Sequence, residues 1–127
     1  MQAHIINTNK APKPIGPYSQ AVWAGNTLYC SGQIALNPKD GTFVNDSIQS
    51  ETHQVMKNIG ALLNEAGLTY ENIVKTSIFL KDMNDFPFVN EVYGSYFKAN
   101  FPARETVQVS RLPKDANVEI SVIAVKP

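Results

Sequence analysis

Cysteine is almost absent from this sequence, since Cys30 is the single example in 127 residues. One thiol cannot form a disulfide within the chain, so an apolar core must stabilise the fold, and the cytoplasm is the expected compartment. Histidine is scarce as well, because His4 and His53 are the two examples and lie far apart. No close spacing of histidine, cysteine and carboxylate residues indicates a metal site. We interpret Cys30 as a core residue rather than a nucleophile.

The sequence also lacks an excess of charge of either sign and any long apolar run. Lys plus Arg and Asp plus Glu each number 11, and no basic block predicts a nucleic-acid surface. The sequence has neither an apolar run of about 18 residues nor a charged-then-apolar leader. We therefore expect neither a membrane partner nor a secreted protein. A hydrophobic fraction of 43% over residues 1–127 predicts one globular domain with a modest core.

The most informative pattern lies near the end of the chain, where two β-prone runs flank a turn cluster at residues 113–117. The pattern predicts a hairpin of two strands, at about 104–110 and 117–125. Arg104 stands at the start of the first strand, and Glu119 lies inside the apolar second strand. An ionisable group in so apolar a run needs solvent or a partner. Arg104 and Glu119 are therefore the first candidate site residues; the alternative is that Arg104 is an exposed strand end and Glu119 faces water.

The first third of the chain predicts a stiff loop followed by two strands. Three prolines and a glycine within residues 12–18 favour an extended loop that holds Tyr18 in place. Residues 19–34 predict two strands around a turn. Gly32 follows the second strand, where glycine either permits the close approach of a backbone or ligand or marks a strand end.

The middle of the chain predicts two helices on either side of a strand. Apolar residues at helical spacing predict a helix from Ser47 to Ala66 that ends at Gly67, with His53 on its polar flank. Residues 73–80 predict a strand whose buried face comprises Val74, Thr76, Ile78 and Leu80. A second helix is predicted with Asp85 as its N-cap and Pro87 in its first turn. Its buried stripe, interpreted as core, comprises Phe86, Val89, Tyr93 and Phe97.

This order of elements predicts an α+β fold with one mixed sheet and both helices on a single face. The other face of the sheet is not purely polar, because Ile123 and Val125 share a side with Glu119 and Ser121. Association of subunits through that face is the expected solution, which predicts a homo-oligomer.

Five motifs in order resemble the reactive intermediate deaminase family, also called RidA or YjgF. They are IGPYSQA at residues 15–21, SGQI at 31–34, IVKT at 73–76, FPAR at 101–104 and LPKDANVEI at 112–120. The resemblance implies a chorismate-mutase-like fold and a homotrimer with clefts between subunits. It also implies hydrolysis of 2-imino acids, such as 2-iminobutanoate and 2-iminopropanoate, that pyridoxal-phosphate enzymes release.

The resemblance also implies roles for individual residues. Arg104 matches the arginine that binds the substrate carboxylate, and Glu119 matches the acid that positions water. The remaining positions that match the substrate-binding cleft are Tyr18, Ser31, Gly32 and Asn90. Thr106 stands where the family often has cysteine; we expect Thr106 to be tolerated at this substrate-binding position because the contact there is through backbone. Ser121 replaces a second acid found in many relatives, which removes a neighbour that would raise the pKa of Glu119.

This chemistry needs no cofactor and no covalent intermediate. A guanidinium can bind a carboxylate through two parallel hydrogen bonds, which a lysine cannot reproduce. Glu119 then needs one water molecule. A non-catalytic sensor of small carboxylates remains an alternative, and so does an RNA-cleaving protein, although zero net charge and the lack of paired histidines argue against the latter.

The predicted hairpin also has a consequence for the site. It sets Glu119 opposite Ser110, six residues along the strand from Arg104, which is about 20 Å. Arg104 and Glu119 of a single chain could therefore not contact the same small imino acid. The sequence therefore predicts a site divided between subunits of the trimer.

Overall fold

The computed structural model describes residues 4–127, and its six strands form one mixed sheet. The strands are β1 (His4–Ile6), β2 (Ala21–Ala24), β3 (Thr27–Cys30), β4 (Ile73–Leu80), β5 (Ala103–Gln108) and β6 (Val118–Val125). The helices are α1 (Ile48–Glu65) and α2 (Phe86–Gly94), and short 3₁₀ turns cover Tyr70–Asn72, Met83–Asp85 and Pro113–Asp115. The predicted α+β architecture is confirmed, and β1 is a strand that the sequence did not predict.

The predicted hairpin of the last two strands is wrong. The strand order is β1-β2-β3-β6-β4-β5, so β6 lies between β3 and β4 and does not touch β5. β5 instead pairs in parallel with β4, and α2 forms the crossover between them. β5 is an edge strand, with four of its six residues exposed, whereas β6 alternates buried and half-buried residues. The turn at residues 113–117 therefore leads the chain into the middle of the sheet.

Helix α1 begins and ends at the predicted residues. Ser47 is its N-cap and forms a capping box with Ser50, in which each side chain bonds the other residue's backbone amide. Ala66 is the C-cap, and Gly67 follows with φ 76°, a left-handed conformation that suits glycine. Its apolar face is fully buried, which anchors the helix to the sheet.

Helix α2 differs from the prediction at its start. Asp85 makes no side-chain capping bond; Asp82 instead caps the preceding 3₁₀ turn by accepting from the backbone amide of Asn84 at 2.9 Å. Pro87 lies in the first turn as predicted. The helix ends at Gly94, so Phe97 lies beyond it, although its ring still packs 4.8 Å from that of Tyr93.

Both helices pack on one face of the sheet, as predicted. On that face Thr76, Ile78 and Val122 are buried, and Thr76 accepts a hydrogen bond from Tyr93 of α2. Val74 does not belong to this face and is 47% exposed, because an irregularity between Ile73 and Lys75 shifts the register of β4. Within residues 4–127, neither helix has both the length and the apolar character needed to cross a bilayer.

Candidate functional site

Glu119 lines a cavity of about 500 Å³ at one end of the sheet. Three segments surround it: the proline-rich loop with Tyr18, the stretch after β3 with Ser31 and Gly32, and the turn before β6 with Lys114. Glu119 lies on the sheet face opposite the helices, because its neighbours Val118 and Ile120 are fully buried on the helix side. The cavity therefore opens on the face opposite α1 and α2.

Glu119 and Gly32 are in close contact. A Cβ atom on Gly32 would lie 2.7 Å from Glu119 Oε2 and 2.9 Å from its Cδ, which is closer than real Cβ atoms approach. The backbone at this point is fixed, because Gln33 and Ile120 exchange two backbone hydrogen bonds of 2.8 and 3.1 Å. Gly32 does permit a close approach, but the approaching group is the Glu119 side chain and not the backbone or ligand that the sequence suggested.

Burial raises the pKa of the Glu119 carboxyl above its ordinary value. Ser121, two residues along the same face, carries no charge that could raise it further. A carboxylate with a raised pKa is a better proton acceptor than an ordinary glutamate. Glu119 therefore has the chemistry of a general base toward water.

Hydrogen bonds to the backbone hold the loop beside Glu119. The buried Gln20 accepts from Thr8 N at 2.8 Å and donates to Pro12 O at 2.9 Å. Tyr18 is 51% exposed, and its hydroxyl accepts from Ile15 N at 3.3 Å, while Ser31 Oγ donates to the loop. The sequence did not single out Gln20, although a glutamine next to a predicted strand in an apolar segment could have indicated a buried anchor.

Arg104 lies in a second cavity, of about 480 Å³, on the helix side of the sheet edge. Its Nη1 donates to Asn90 Oδ1 of α2 at 2.5 Å, and its guanidinium carbon lies 5.3 Å from the ring centroid of Tyr93 and 5.5 Å from that of Phe86. In the part of the chain that the structure describes, no carboxylate pairs with this arginine. The guanidinium is therefore oriented by α2 and free to bind an anion.

Two aromatic residues under Arg104 were predicted only as core. Tyr93 is buried and Phe86 is partly buried, so that interpretation is correct, but both rings also support the guanidinium. Their spacing from Asn90 within one helix is the signal that could have indicated this second role.

Thr106 is paired with Ile78 and lies two residues after Arg104, on the same face. Its hydroxyl oxygen is buried without a hydrogen-bond partner in residues 4–127. Buried hydroxyl groups are normally hydrogen-bonded, so this one needs a hydrogen-bond partner from outside residues 4–127. Its predicted role in binding substrate stays a prediction.

The two cavities point away from each other within one chain. Arg104 pairs with Thr76, whereas Glu119 pairs with Phe79, so they lie three residues apart along the strands and two strands apart across the sheet. This corresponds to about 14 Å between their backbones, with side chains on opposite faces. The separation of 20 Å expected from the hairpin is wrong, but one chain still cannot bring both residues to one small molecule.

Cys30 and the histidines take no part in either cavity. Cys30 is buried, and burial raises the pKa of its thiol to about 12, so it is a core residue as predicted. His53 accepts or donates a hydrogen bond at 2.9 Å with the Tyr96 hydroxyl between the helices. Among residues 4–127 no cluster of three or more histidine, cysteine or acidic residues could hold a metal ion.

Comparisons with known proteins cover nearly the whole chain. Residues 8–126 match the family model described as Endoribonuclease L-PSP. A RutC family protein of Pyrococcus horikoshii is 52% identical over 122 residues, which are 96% of this chain and 97% of that protein. The human protein named 2-iminobutanoate/2-iminopropanoate deaminase is 48% identical over 122 residues, which are 96% of this chain and 89% of that protein. The crystal structure of E. coli TdcF with bound serine is 41% identical, has a TM-score of 0.94, and the match covers 98% of this chain and 99% of that chain.

Proposed function

Because this chain belongs to the reactive intermediate deaminase family, whose model is also described as Endoribonuclease L-PSP, we propose that it hydrolyses 2-imino acids to 2-oxo acids and ammonia. The human relative is named for 2-iminobutanoate and 2-iminopropanoate, and these two compounds are the proposed substrates. The observation that carries the proposal is the pair of cavities, one with a free guanidinium and one with a half-buried carboxylate of raised pKa.

Arg104 binds the carboxylate of the substrate in this proposal. Its planar guanidinium can make two parallel hydrogen bonds to a carboxylate, which fixes the position of C2. Asn90 and the two rings restrict the guanidinium before the substrate arrives, so less entropy is lost on binding. In this proposal the carboxylate also lies near Thr106, which shares a face of β5 with Arg104 and whose hydroxyl has no hydrogen-bond partner within residues 4–127.

Glu119 orients the water and accepts its proton. Attack of the water oxygen on C2 forms the C–O bond while one electron pair of the C=N bond moves to nitrogen, and Glu119 passes one water proton to that nitrogen. The C–N bond then breaks to release ammonia, and Glu119 takes the remaining hydroxyl proton as the C=O bond of the 2-oxo acid forms. Imines hydrolyse in water without help, so orientation and one proton-transfer group, worth about 10²–10⁴-fold, are enough. Tyr18, Ser31 and Gly32 form the wall of the cavity beside this water.

Subunit association brings the two cavities together in this proposal. Arg104 and Glu119 lie on opposite faces of the sheet, so the arginine of one subunit must meet the glutamate of the next. A ring of three subunits with repeated head-to-tail contacts satisfies this requirement. The proposed assembly is a chorismate-mutase-like homotrimer. Exposed apolar residues such as Tyr29 and Val107 lie on or beside the sheet face opposite the helices, and association of subunits would cover them.

A non-catalytic binder of small carboxylates is the second candidate function. The Arg104 cavity is complete with Asn90 and the aromatic rings, and it needs no residue from the Glu119 cavity to bind an anion. RNA cleavage has less support, because the sequence carries zero net charge.

The test is ammonia release from freshly generated 2-iminobutanoate, with wild type compared to Glu119→Gln. The amide keeps the shape of the side chain but cannot accept a proton, so kcat should fall about 10²-fold or more. Binding of 2-oxobutanoate should change little, since Arg104 is intact. Glu71→Gln, an exposed residue outside both cavities, is the matched control. Unchanged turnover in Glu119→Gln, or no hydrolysis by wild type, would favour the binder.

A further inference from the structure

The turn before β6 contains two strained residues at the rim of the Glu119 cavity. Lys114 has φ 54° and Asp115 has φ 56°, and neither is glycine. Residues other than glycine rarely adopt this left-handed backbone conformation, and two such residues in succession are uncommon. Lys114 lines the cavity itself. Strain of this kind persists only where the surrounding structure holds it, and it is frequent at ligand-binding sites.

Contacts on both sides hold this turn in place. Asp115 accepts a hydrogen bond from Lys81 Nζ at 2.9 Å, and Lys81 N donates to Asn117 O at 3.0 Å. Asn117 donates twice to the fully buried Glu51, through its backbone amide and its side chain, each at 2.8 Å. Among the residues that the structure describes, none forms an ion pair with Lys114, so its backbone is fixed while its ammonium is free of charged partners there.

The charges around the cavity do not balance. Lys13 and Lys114 both line it, and Glu119 is the one acidic residue among the described residues that do so. Within residues 4–127 neither lysine forms an ion pair, although Lys13 also borders a shallow groove that contains Glu65. Both lysines are exposed, whereas Glu119 is half-buried, so the lysines form part of the rim of the cavity.

We propose that Lys114, assisted by Lys13, binds a second anionic group of the substrate, so that the cavity favours 2-imino acids with a side-chain carboxylate over those with an alkyl side chain. This inference rests on the proposed hydrolysis and names a substrate class for it. The carboxylate on C1 of the substrate binds Arg104 of the neighbouring subunit, and the cationic imine nitrogen faces Glu119. Two further cations beside a monocarboxylic substrate would only repel its iminium group, whereas a side-chain carboxylate balances them.

The test compares kcat/KM for 2-iminobutanedioate with kcat/KM for 2-iminobutanoate, each generated in the assay by oxidation of the corresponding amino acid. Lys114→Met should lower the ratio of the two values about 3- to 5-fold, and the double variant with Lys13→Met about 10-fold, as expected for exposed charge pairs. Methionine occupies the left-handed conformation no less well than lysine. Lys114→Arg should keep the ratio, and Lys57→Met on the exposed side of α1 is the matched control.

A binding measurement separates failure of this inference from failure of the proposed function. The dissociation constants of butanedioate and butanoate, measured by calorimetry on wild type and Lys114→Met, need no catalysis. Their ratio should change in the same direction, and the preference should weaken as salt rises from about 0.05 to about 0.5 M. If wild type hydrolyses neither imine, the proposed function fails while these ratios still test Lys114. Equal ratios in wild type and both methionine variants would overturn the inference.

Discussion

The contact between Gly32 and Glu119 determines how the carboxylate sits in its cavity. A methyl group at position 32 would fall 2.7 Å from Glu119 Oε2, and Gly32 does not have a positive φ, so the backbone itself would accept alanine. The Glu119 side chain must then move. We expect Gly32→Ala to lower kcat about 10²-fold with little change in stability, because a displacement of about 1 Å is enough to misalign the base.

Gly60→Ala is the contrasting control for this prediction. Its methyl group would lie 2.2 Å from the Tyr70 hydroxyl, which donates to Met56 O at 2.7 Å. Overpacking should therefore lower the free energy of unfolding by about 1–3 kcal/mol, without a change in turnover per folded molecule. Urea denaturation and initial rates on both variants separate the two effects. Equal losses of activity in both variants would contradict the account of Gly32.

The raised pKa of Glu119 predicts a dependence of stability on pH. Burial raises its folded-state pKa above the unfolded value, so stability is lost as pH rises from the unfolded pKa through the folded pKa. Glu119→Gln mimics the protonated form. It should raise the urea midpoint at neutral pH and leave it unchanged below the ordinary glutamate pKa. A urea midpoint for Glu119→Gln below that of wild type at neutral pH would contradict this prediction. It would mean that contacts in the folded state stabilise the ionised carboxylate.

The sequence singled out the two ionisable residues of the candidate site because charge is conspicuous in a β-rich run. It did not find what orients them. The rings of Phe86 and Tyr93 look like core residues in a helical pattern, and their position under Arg104 depends on the crossover from β4 to β5. Contacts of this kind arise from tertiary structure and leave no local signal.

At the scale of elements, the boundaries followed from the sequence more reliably than the pairing of strands. The helix from Ser47 to Ala66 and the strand at residues 73–80 match α1 and β4, because capping residues and periodicity are local signals. The hairpin failed because a turn-rich segment says only that the chain reverses, not which strand it joins. The order of strand, helix and strand around α2 is typical of a parallel crossover, and the charged residues of β5 are typical of an edge strand. Both signals are present in the sequence and point away from a hairpin.

Helix α1 anchors the entry to β6 through one buried carboxylate. Glu51 is fully buried and accepts both hydrogen bonds from Asn117, two residues before Glu119. Glu51→Ala should lower the free energy of unfolding by about 2–4 kcal/mol, because two partly buried donors of Asn117 lose a fully buried acceptor. Glu91→Ala, an exposed residue of α2, should change it by less than about 0.5 kcal/mol. Urea denaturation of both variants is the measurement, and equal small changes would contradict this anchoring role.

At the scale of the whole molecule, the sheet separates the parts of the proposed site. The face with α1 and α2 carries Arg104, the opposite face carries Glu119, and about 14 Å of backbone lies between them. The sequence predicted this division from the wrong strand pairing, and the observed register supports it for a different reason. Neither cavity contains both the anion-binding group and the base, so the proposed enzyme depends on its assembly.

The most direct test of a divided site is to unfold and refold together equal amounts of Arg104→Ala and Glu119→Gln, each inactive alone. About three-quarters of randomly assembled trimers then contain both variants, and each has one junction at which an intact arginine meets an intact glutamate. About a quarter of the wild-type activity per site should therefore return. No recovery in refolded, correctly assembled protein would mean that the site lies within one chain, which contradicts the account.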